Sequence, residues 1–384
     1  MDATLRVLMA VLVLFGLGLW VGAQEQPEQD QELDVAIAEK VLEAKPGTVL
    51  TVELPANGAR LQGVRFKLPE GTKKLYVQVT EASADIDLWL TRERAKDMST
   101  LLEEAEVEKA TGRLSEVMEV AEGLRAGTYY VYAGSLSATA DEEISFKLLI
   151  GLNESPPPMA LPTLPFAALD QLSPAERAVH ACVSLNTDEG GGSGTVVTPG
   201  GLILTNRHVL ENEDGSFATM VYVSFTREPR ELPVQTHTAV VVDQSAELDL
   251  ALLRITEDLN GKAVENPNFT WLALAPGGPD LGHELRCLGY PAIGGSGSVA
   301  SVTMTSGVVS GFAVRKNVLQ WLKTDCLISA GNSGGAALNA GYELVGIPTE
   351  SLHDPDTLES LGYIRPIGSI PRSWLERIRK DLPK

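Results

Sequence analysis

Three side chains of this sequence could together turn a hydroxyl into a nucleophile. Ser333 stands in Gly331-Asn332-Ser333-Gly334-Gly335. Glycines on both sides leave the hydroxyl unobstructed and tolerate backbone angles that a Cβ forbids, so neighbouring N–H groups can converge on one point. Such a turn suits a serine whose own N–H, with that of Gly331, stabilises an oxyanion, with Asn332 shaping the turn. Alone, the pentapeptide reads equally well as an ordinary turn. A serine hydroxyl is a poor nucleophile at neutral pH and needs an adjacent base. His208 follows Leu202-Ile203-Leu204-Thr205-Asn206-Arg207, and Asp249 interrupts the apolar run Leu248–Ile255. An imidazole acting as base needs an acceptor that holds its tautomer and stabilises its cation. Asp249 is suited to that, although on its own it reads as a strand-end carboxylate.

Elements must position these groups. Gly192–Val197 and Leu202–Thr205 read as two strands joined by Pro199-Gly200-Gly201. The order histidine, aspartate, serine matches the chymotrypsin arrangement and neither the subtilisin nor the α/β-hydrolase order. Gly-Ser-Gly-Thr-Val-Val at 192–197, Thr-Asn-Arg-His-Val at 205–209, Leu-Asp-Leu-Ala-Leu-Leu at 248–253 and Thr-Asp at 324–325 leading to Gly-Asn-Ser-Gly-Gly at 331–335 together resemble the HtrA/Deg branch of trypsin-fold serine proteases. The resemblance runs from about Cys182 to Ile370. It implies two β-barrels side by side, with His208 and Asp249 from the first, Ser333 from the second and a cleft between. It also implies an oxyanion hole at the N–H groups of Gly331 and Ser333, and a wall at Ser301–Gly311. Leu327 and Ile328 would lie near a specificity pocket for a small or medium apolar residue. Thr349 and Ser351 align with the strand that pairs with substrate backbone by edge addition. Two departures stand out. Pro348 replaces the family's usual Asn and has no N–H for a ladder, and Ser329 alters the approach to the turn. Both keep open a catalytically silent or latent protein acting as a binding module.

The 384 residues allow two or three domains with real cores, and the apolar content is that of a globular protein. A net charge of −20 speaks against nucleic acid or an anionic membrane as partner and for solubility. Residues 1–23 read as a secretory signal: Arg6, an apolar run Val7–Val21 and small residues Val21-Gly22-Ala23 before Gln24. An uncleaved membrane anchor is the alternative, for which the run is slightly short. The expected location is periplasmic or secreted. Three cysteines, Cys182, Cys287 and Cys326, read as small buried apolar residues with at least one free thiol. A Cys182–Cys287 bridge stays open. None of His180, His237, His283 and His353 has a partner at metal-ligand spacing, so no metal and no cofactor is expected. Gly190–Gly194 lacks the Lys-Ser/Thr of a phosphate loop.

The expected fold is all-β, a trypsin-like double barrel with a separate N-terminal β-sandwich. Residues 24–45 form an acidic spacer. Within 46–152, seven runs read as strands: Val49–Leu54, Val64–Leu68, Leu75–Thr80, Ile86–Leu90, Glu116–Val120, Thr128–Ala133 and Ile144–Ile150. The composition of Arg92–Lys109 predicts a helical or irregular insertion. Asp85-Ile86-Asp87-Leu88-Trp89-Leu90 and Leu124-Arg125-Ala126-Gly127-Thr128-Tyr129-Tyr130-Val131 resemble the bacterial pre-peptidase domain. Asp85 and Asp87 read as solvated strand-edge residues, with calcium ligation as the alternative. Tyr129, Tyr130 and Tyr132 read as half-core, with a binding face as the alternative. Residues 153–172, with Pro156-Pro157-Pro158, form a semi-rigid linker. The protease domain spans 173–384, from a helix start at Ser173 to a terminal helix over Trp374–Leu382. HtrA-type proteins usually carry a peptide-binding PDZ domain after that helix; none is expected here. The expected function is an exported serine endopeptidase acting on protein or peptide substrates. Its N-terminal domain would recruit substrate or a surface partner. A homo-oligomer stays open, because HtrA relatives are often trimers.

Overall fold

The computed structural model describes residues 35–383 apart from 85, 110–115, 137–142, 159–160, 162–163, 165–168, 188–189, 213–214, 266, 292–300 and 354–359. The expected signal segment therefore lies outside the described residues, as does Asp85. The chain divides into two units between residues 159 and 160.

In the first unit, alternating residues build two sheets over one core. The five-stranded sheet runs β1–β3–β8–β5–β6 and the four-stranded sheet β2–β9–β4–β7. The strands are β1 (Leu42–Glu43), β2 (Val49–Leu54), β3 (Leu61–Leu68), β4 (Leu75–Thr80), β5 (Asp87–Thr91), β6 (Ala105–Lys109), β7 (Glu116–Val120), β8 (Gly127–Gly134) and β9 (Ile144–Leu152). Val52, Val64, Phe66, Val77, Leu88, Val131, Phe146 and Leu148 are buried between the sheets, as period-two alternation requires. The outer face of the larger sheet is covered too. Helix α1 (Met98–Glu104), capped by Asp97, sets Met98 and Leu101 against Trp89, Leu61 and Tyr132.

This unit corrects three expectations. Only the middle of Arg92–Lys109 is helical, and its last residues form edge strand β6 on β5. Strand pairing, with Val107 against the core, overrides helix propensity, and the flanking charges suit an edge. Asp87 is buried in β5, where its carboxylate accepts from Leu136 N at 3.3 Å, and so is not a solvated edge residue. Tyr129 and Tyr132 are fully buried, Tyr130 half-buried.

The second unit begins with helix α2 (Pro174–Ala181), closed by a capping box between Ser173 and Glu176. Ala181 ends this helix, and β10 starts at the next residue, Cys182. The first closed barrel has the order β10–β11–β12–β15–β14–β13, from β10 (Cys182–Asn186), β11 (Gly191–Val196), β12 (Leu202–Thr205), β13 (Val221–Phe225), β14 (Val234–Ser245) and β15 (Leu250–Asp258). The second has the order β16–β17–β18–β21–β20–β19, from β16 (Glu284–Gly289), β17 (Thr303–Arg315), β18 (Val318–Thr324), β19 (Ala336–Leu338), β20 (Leu344–His353) and β21 (Ser360–Pro366). One apolar cluster joins the barrels: Leu204 and Leu252 of the first meet Leu288, Ala336 and Ile347 of the second, under Trp374 and Ile378 of helix α3 (Arg372–Asp381). Asp381 pins that helix by accepting from Thr198 Oγ1 at 2.5 Å and Arg254 Nη1 at 2.9 Å. The three cysteines are free and buried. Cys287 neighbours Cys326, not Cys182, whose thiol donates to Leu288 O at 3.8 Å.

Candidate active site

His208 opens a single 3₁₀ turn, His208–Leu210, just beyond β12, and buried Val209 and Leu210 hold the turn to the barrel. Arg207, between Asn206 and His208, is fixed outside by Gln244 and Glu211 at 3.0 and 2.6 Å and lies over the Phe217 ring. Asp249 precedes β15 in the left-handed region, with φ 51°. A residue with a Cβ needs local support there. Its carbonyl supplies part of that support, accepting from Asn206 Nδ2 at 2.8 Å and Arg207 N at 3.3 Å. Both carboxylate oxygens then turn to one residue. Oδ1 accepts from His208 N at 3.0 Å and Oδ2 from His208 Nδ1 at 2.7 Å. With Nδ1–H donating to the carboxylate, Nε2 of the imidazole is left as the base.

Ser333 stands on the opposing barrel, between β18 and β19. Gly331 and Gly334 adopt φ +94° and +86°. A Cβ on Gly334 would come within 2.1 Å of Ser193 O and 2.2 Å of Thr205 Oγ1, so the turn closes on the first barrel only with glycine there. Asn332 is buried, its N–H donates to Ser329 O at 3.0 Å, and its carbonyl accepts from Gly335 N at 3.0 Å. Among the described residues, neither Gly331 N nor Ser333 N donates to a backbone carbonyl. The Ser333 hydroxyl donates to Thr349 O at 3.0 Å. A hydroxyl has one proton to donate, so in this arrangement it is directed at the carbonyl and not at His208.

Pro348 does not break its strand. β20 runs through it, and the irregularity is confined to a bulge in which Pro348 pairs with Ile364, Glu350 with Tyr363, and Thr349 is the extra residue. The Pro348 carbonyl accepts from Gly334 N at 3.0 Å, so the proline supports the serine turn through the one ladder group it retains. Thr349 is buried, and its Oγ1 accepts from Asn206 Nδ2 at 3.0 Å. Ser351 pairs with Gly362 along the same strand; its side chain lies outside the described residues. Leu327 and Ile328 part company: Leu327 is 57 % exposed and Ile328 is buried in the second barrel's core. β17 covers Ser306–Ser310, where Val308 N donates to Asp325 Oδ1 at 2.7 Å.

Two residues of this site were missed by sequence reasoning. Asn206, fully buried, ties Asp249 to Thr349 across the barrels, and Ser193 reaches the serine turn. The available signals were a serine among the glycines of β11 and an asparagine just after apolar β12, which turn chemistry explains as readily.

Two closed six-stranded barrels, with a histidine–aspartate pair on one and a glycine-flanked serine on the other, have the architecture of the trypsin-like fold. Residues 192–347 match the family described as trypsin-like peptidase domain. The domain is similar to several proteases of the HtrA type. A probable periplasmic serine endoprotease DegP-like from Hahella chejuensis is 28% identical over 216 residues, 50% of this chain and 40% of that protein. The serine endoprotease DegS of Haemophilus influenzae is 30% identical over 197 residues, 50% of each. The mitochondrial serine protease HTRA2 of Drosophila virilis is 33% identical over 163 residues, 41% of this chain and 33% of that one. The chain thus spans half or less of the length of these curated relatives. A crystal structure of the serine endoprotease from Yersinia pestis aligns over 56% of this chain and 68% of its own, with a TM-score of 0.41 and 28% identity.

Proposed function

We propose that the chain is a serine endopeptidase that cleaves peptide bonds in protein substrates through Ser333, His208 and Asp249. The observation that carries this is the His208–Asp249 pair, with both carboxylate oxygens on one histidine and its Nε2 left as base. Ser333 Oγ attacks the scissile carbonyl carbon as its proton passes to His208 Nε2. The tetrahedral oxyanion accepts from Gly331 N and Ser333 N. Collapse expels the amine, which takes the proton from Nε2 and leaves an acyl-serine. Water, deprotonated by the same imidazole, attacks the ester and restores Ser333. Backbone of β20 near Thr349 pairs with extended substrate, and exposed Leu327 borders the apolar pocket.

A second reading has its own support. With the Ser333 proton on Thr349 O, the resting site is latent, and substrate backbone competing for that carbonyl would free the hydroxyl for His208. The N-terminal unit fits the role of a pre-peptidase-like sandwich that recruits substrate. Export fits residues 1–23 and the periplasmic names of the DegP-like relatives. Fluorophosphonate labelling of the full chain beside Ser333→Ala tests the main reading. Labelling of the wild type alone is expected. Labelling that appears only with added unfolded protein selects latency, and none under either condition refutes an endopeptidase.

A further inference from the structure

The oxyanion turn is held in place by a residue of the other barrel. Ser193, in β11, is fully buried and makes four hydrogen bonds. Its Oγ donates to Gly331 O at 2.6 Å and accepts from Tyr290 N at 2.9 Å. Its N–H donates to Ser333 O at 2.8 Å, and its carbonyl accepts from Thr205 Oγ1 at 2.7 Å. Both residues whose N–H groups would form the oxyanion hole thus have their carbonyls fixed by one side chain and its own backbone.

The consequence follows from peptide geometry. A peptide unit is planar, so holding its C=O also sets the direction of the N–H it carries. Three successive carbonyls of the turn are held: Gly331 O by Ser193 Oγ, Asn332 O by Gly335 N, and Ser333 O by Ser193 N. Holding Asn332 O aims the N–H of Ser333. Gly331 is the loosest point, a glycine at φ +94° whose missing Cβ leaves both its torsions free. Its carbonyl side is the one that Ser193 Oγ anchors. Preorganised donors work because they need no reorientation during reaction. We propose that Ser193 is a positioning residue, which acts on the Gly331 and Ser333 N–H groups indirectly: it fixes the carbonyl ends of both residues from the first barrel, so the turn cannot swing about their torsions and carry those N–H groups off line. The proposal rests on reading those two N–H groups as the oxyanion hole. Alanine would leave Gly331 O and Tyr290 N without their partner while keeping the Ser193 N–H bond to Ser333 O.

The test uses the full chain with Ser193→Ala, Ser193→Cys and, as comparator, Thr198→Val. Thr198 is a buried hydroxyl of the same unit that makes two hydrogen bonds, to Asp381 Oδ2 and from Leu202 N. For Ser193→Ala, kcat on a peptide substrate should fall about 10- to 100-fold with KM within about twofold. Affinity for a peptide boronic acid, which fills the hole, should fall in parallel. Amide exchange at 331–335 should accelerate while the rest of the barrel keeps its protection. Ser193→Cys keeps a weak donor and should lie between; it serves if the alanine variant does not fold. Thr198→Val should lower the melting temperature and leave kinetics and turn exchange as in the wild type. Wild-type kcat and wild-type exchange at 331–335 in Ser193→Ala would overturn the proposal, and so would an equal kinetic loss in Thr198→Val. A wild type that neither hydrolyses peptide nor binds boronate refutes the endopeptidase reading, and amide exchange alone still decides whether Ser193 holds the turn.

Discussion

Acid should loosen the first barrel through His237. Its ring lies edge-on to Phe225 and Phe269, at 5.7 and 5.2 Å between centroids, and Nδ1 meets Thr236 Oγ1 at 2.8 Å. Burial pushes its pKa down from 6.5 to about 4, and Asp258 opposite in the ladder offsets only part of that. The folded protein thus holds this imidazole neutral, whereas the unfolded chain takes up a proton below about pH 6.5. Between the two values the unfolded state binds more protons, so stability is full above about pH 6.5 and is lost as pH falls towards about 4. The full shift corresponds to roughly 3 kcal/mol, of which about 2 kcal/mol is lost by about pH 5. Both figures are ceilings, because the ring is only partly enclosed and solvent screens it. Urea unfolding followed by tryptophan fluorescence, in wild type and His237→Leu from about pH 7.5 down to about 4.5, reads the difference in slope. The wild type should lose stability faster by up to about 1.4 kcal/mol per pH unit. Equal slopes would refute the reasoning, whatever the two absolute stabilities.

Further outcomes follow from the site and the thiols. Gly334→Ala forces a Cβ into Ser193 O and Thr205 Oγ1 at a φ of +86°, so fluorophosphonate labelling should drop at least about 100-fold, with circular dichroism showing retained strands. Asn206→Ala removes two buried hydrogen bonds worth about 1 kcal/mol each. It should lower stability by about 2 kcal/mol and slow peptide hydrolysis, since Asp249 loses support for its left-handed backbone; unchanged activity would show that Arg207 N suffices. The three thiols should resist a disulfide reagent in the native protein. Burial pushes Cys182 up to about 12, and Cys326, although lowered to about 7 chiefly by its hydrogen bond with Cys287, is enclosed in the core. Three equivalents should react on unfolding without reductant, and fewer would reveal a bridge.

The candidate residues of the site were legible in the sequence. The serine turn could be recognised because its chemistry is local: glycines at both ends of a short turn have a backbone reason to be there. His208 and Asp249 became candidates because their order with Ser333 matches the chymotrypsin arrangement and their motifs resemble those of HtrA/Deg proteases. Leu327 and Ile328, by contrast, could not be separated, because facing outward or inward depends on how the segment leaves β18. Pro348 was read by what it lacks, an N–H, whereas its carbonyl is what the fold uses.

In the N-terminal unit the period-two runs located seven strands to within about three residues at their ends, because alternation reports burial on one face. It failed at β6 and Asp87, where a helix-prone segment and a carboxylate took their state from neighbours distant in sequence. By itself the sequence determined the all-β class, the order of the reactive groups and the glycines their turn demands, since composition, periodicity and spacing carry these. Tertiary structure alone decided that Ser193 and Asn206 bridge the barrels, that the Ser333 hydroxyl donates to the Thr349 carbonyl, and that Cys287 meets Cys326. The first two are contacts between the barrels and the last two are contacts inside the second barrel; all join residues separated in the chain by the closing of the sheets, and no local pattern records them.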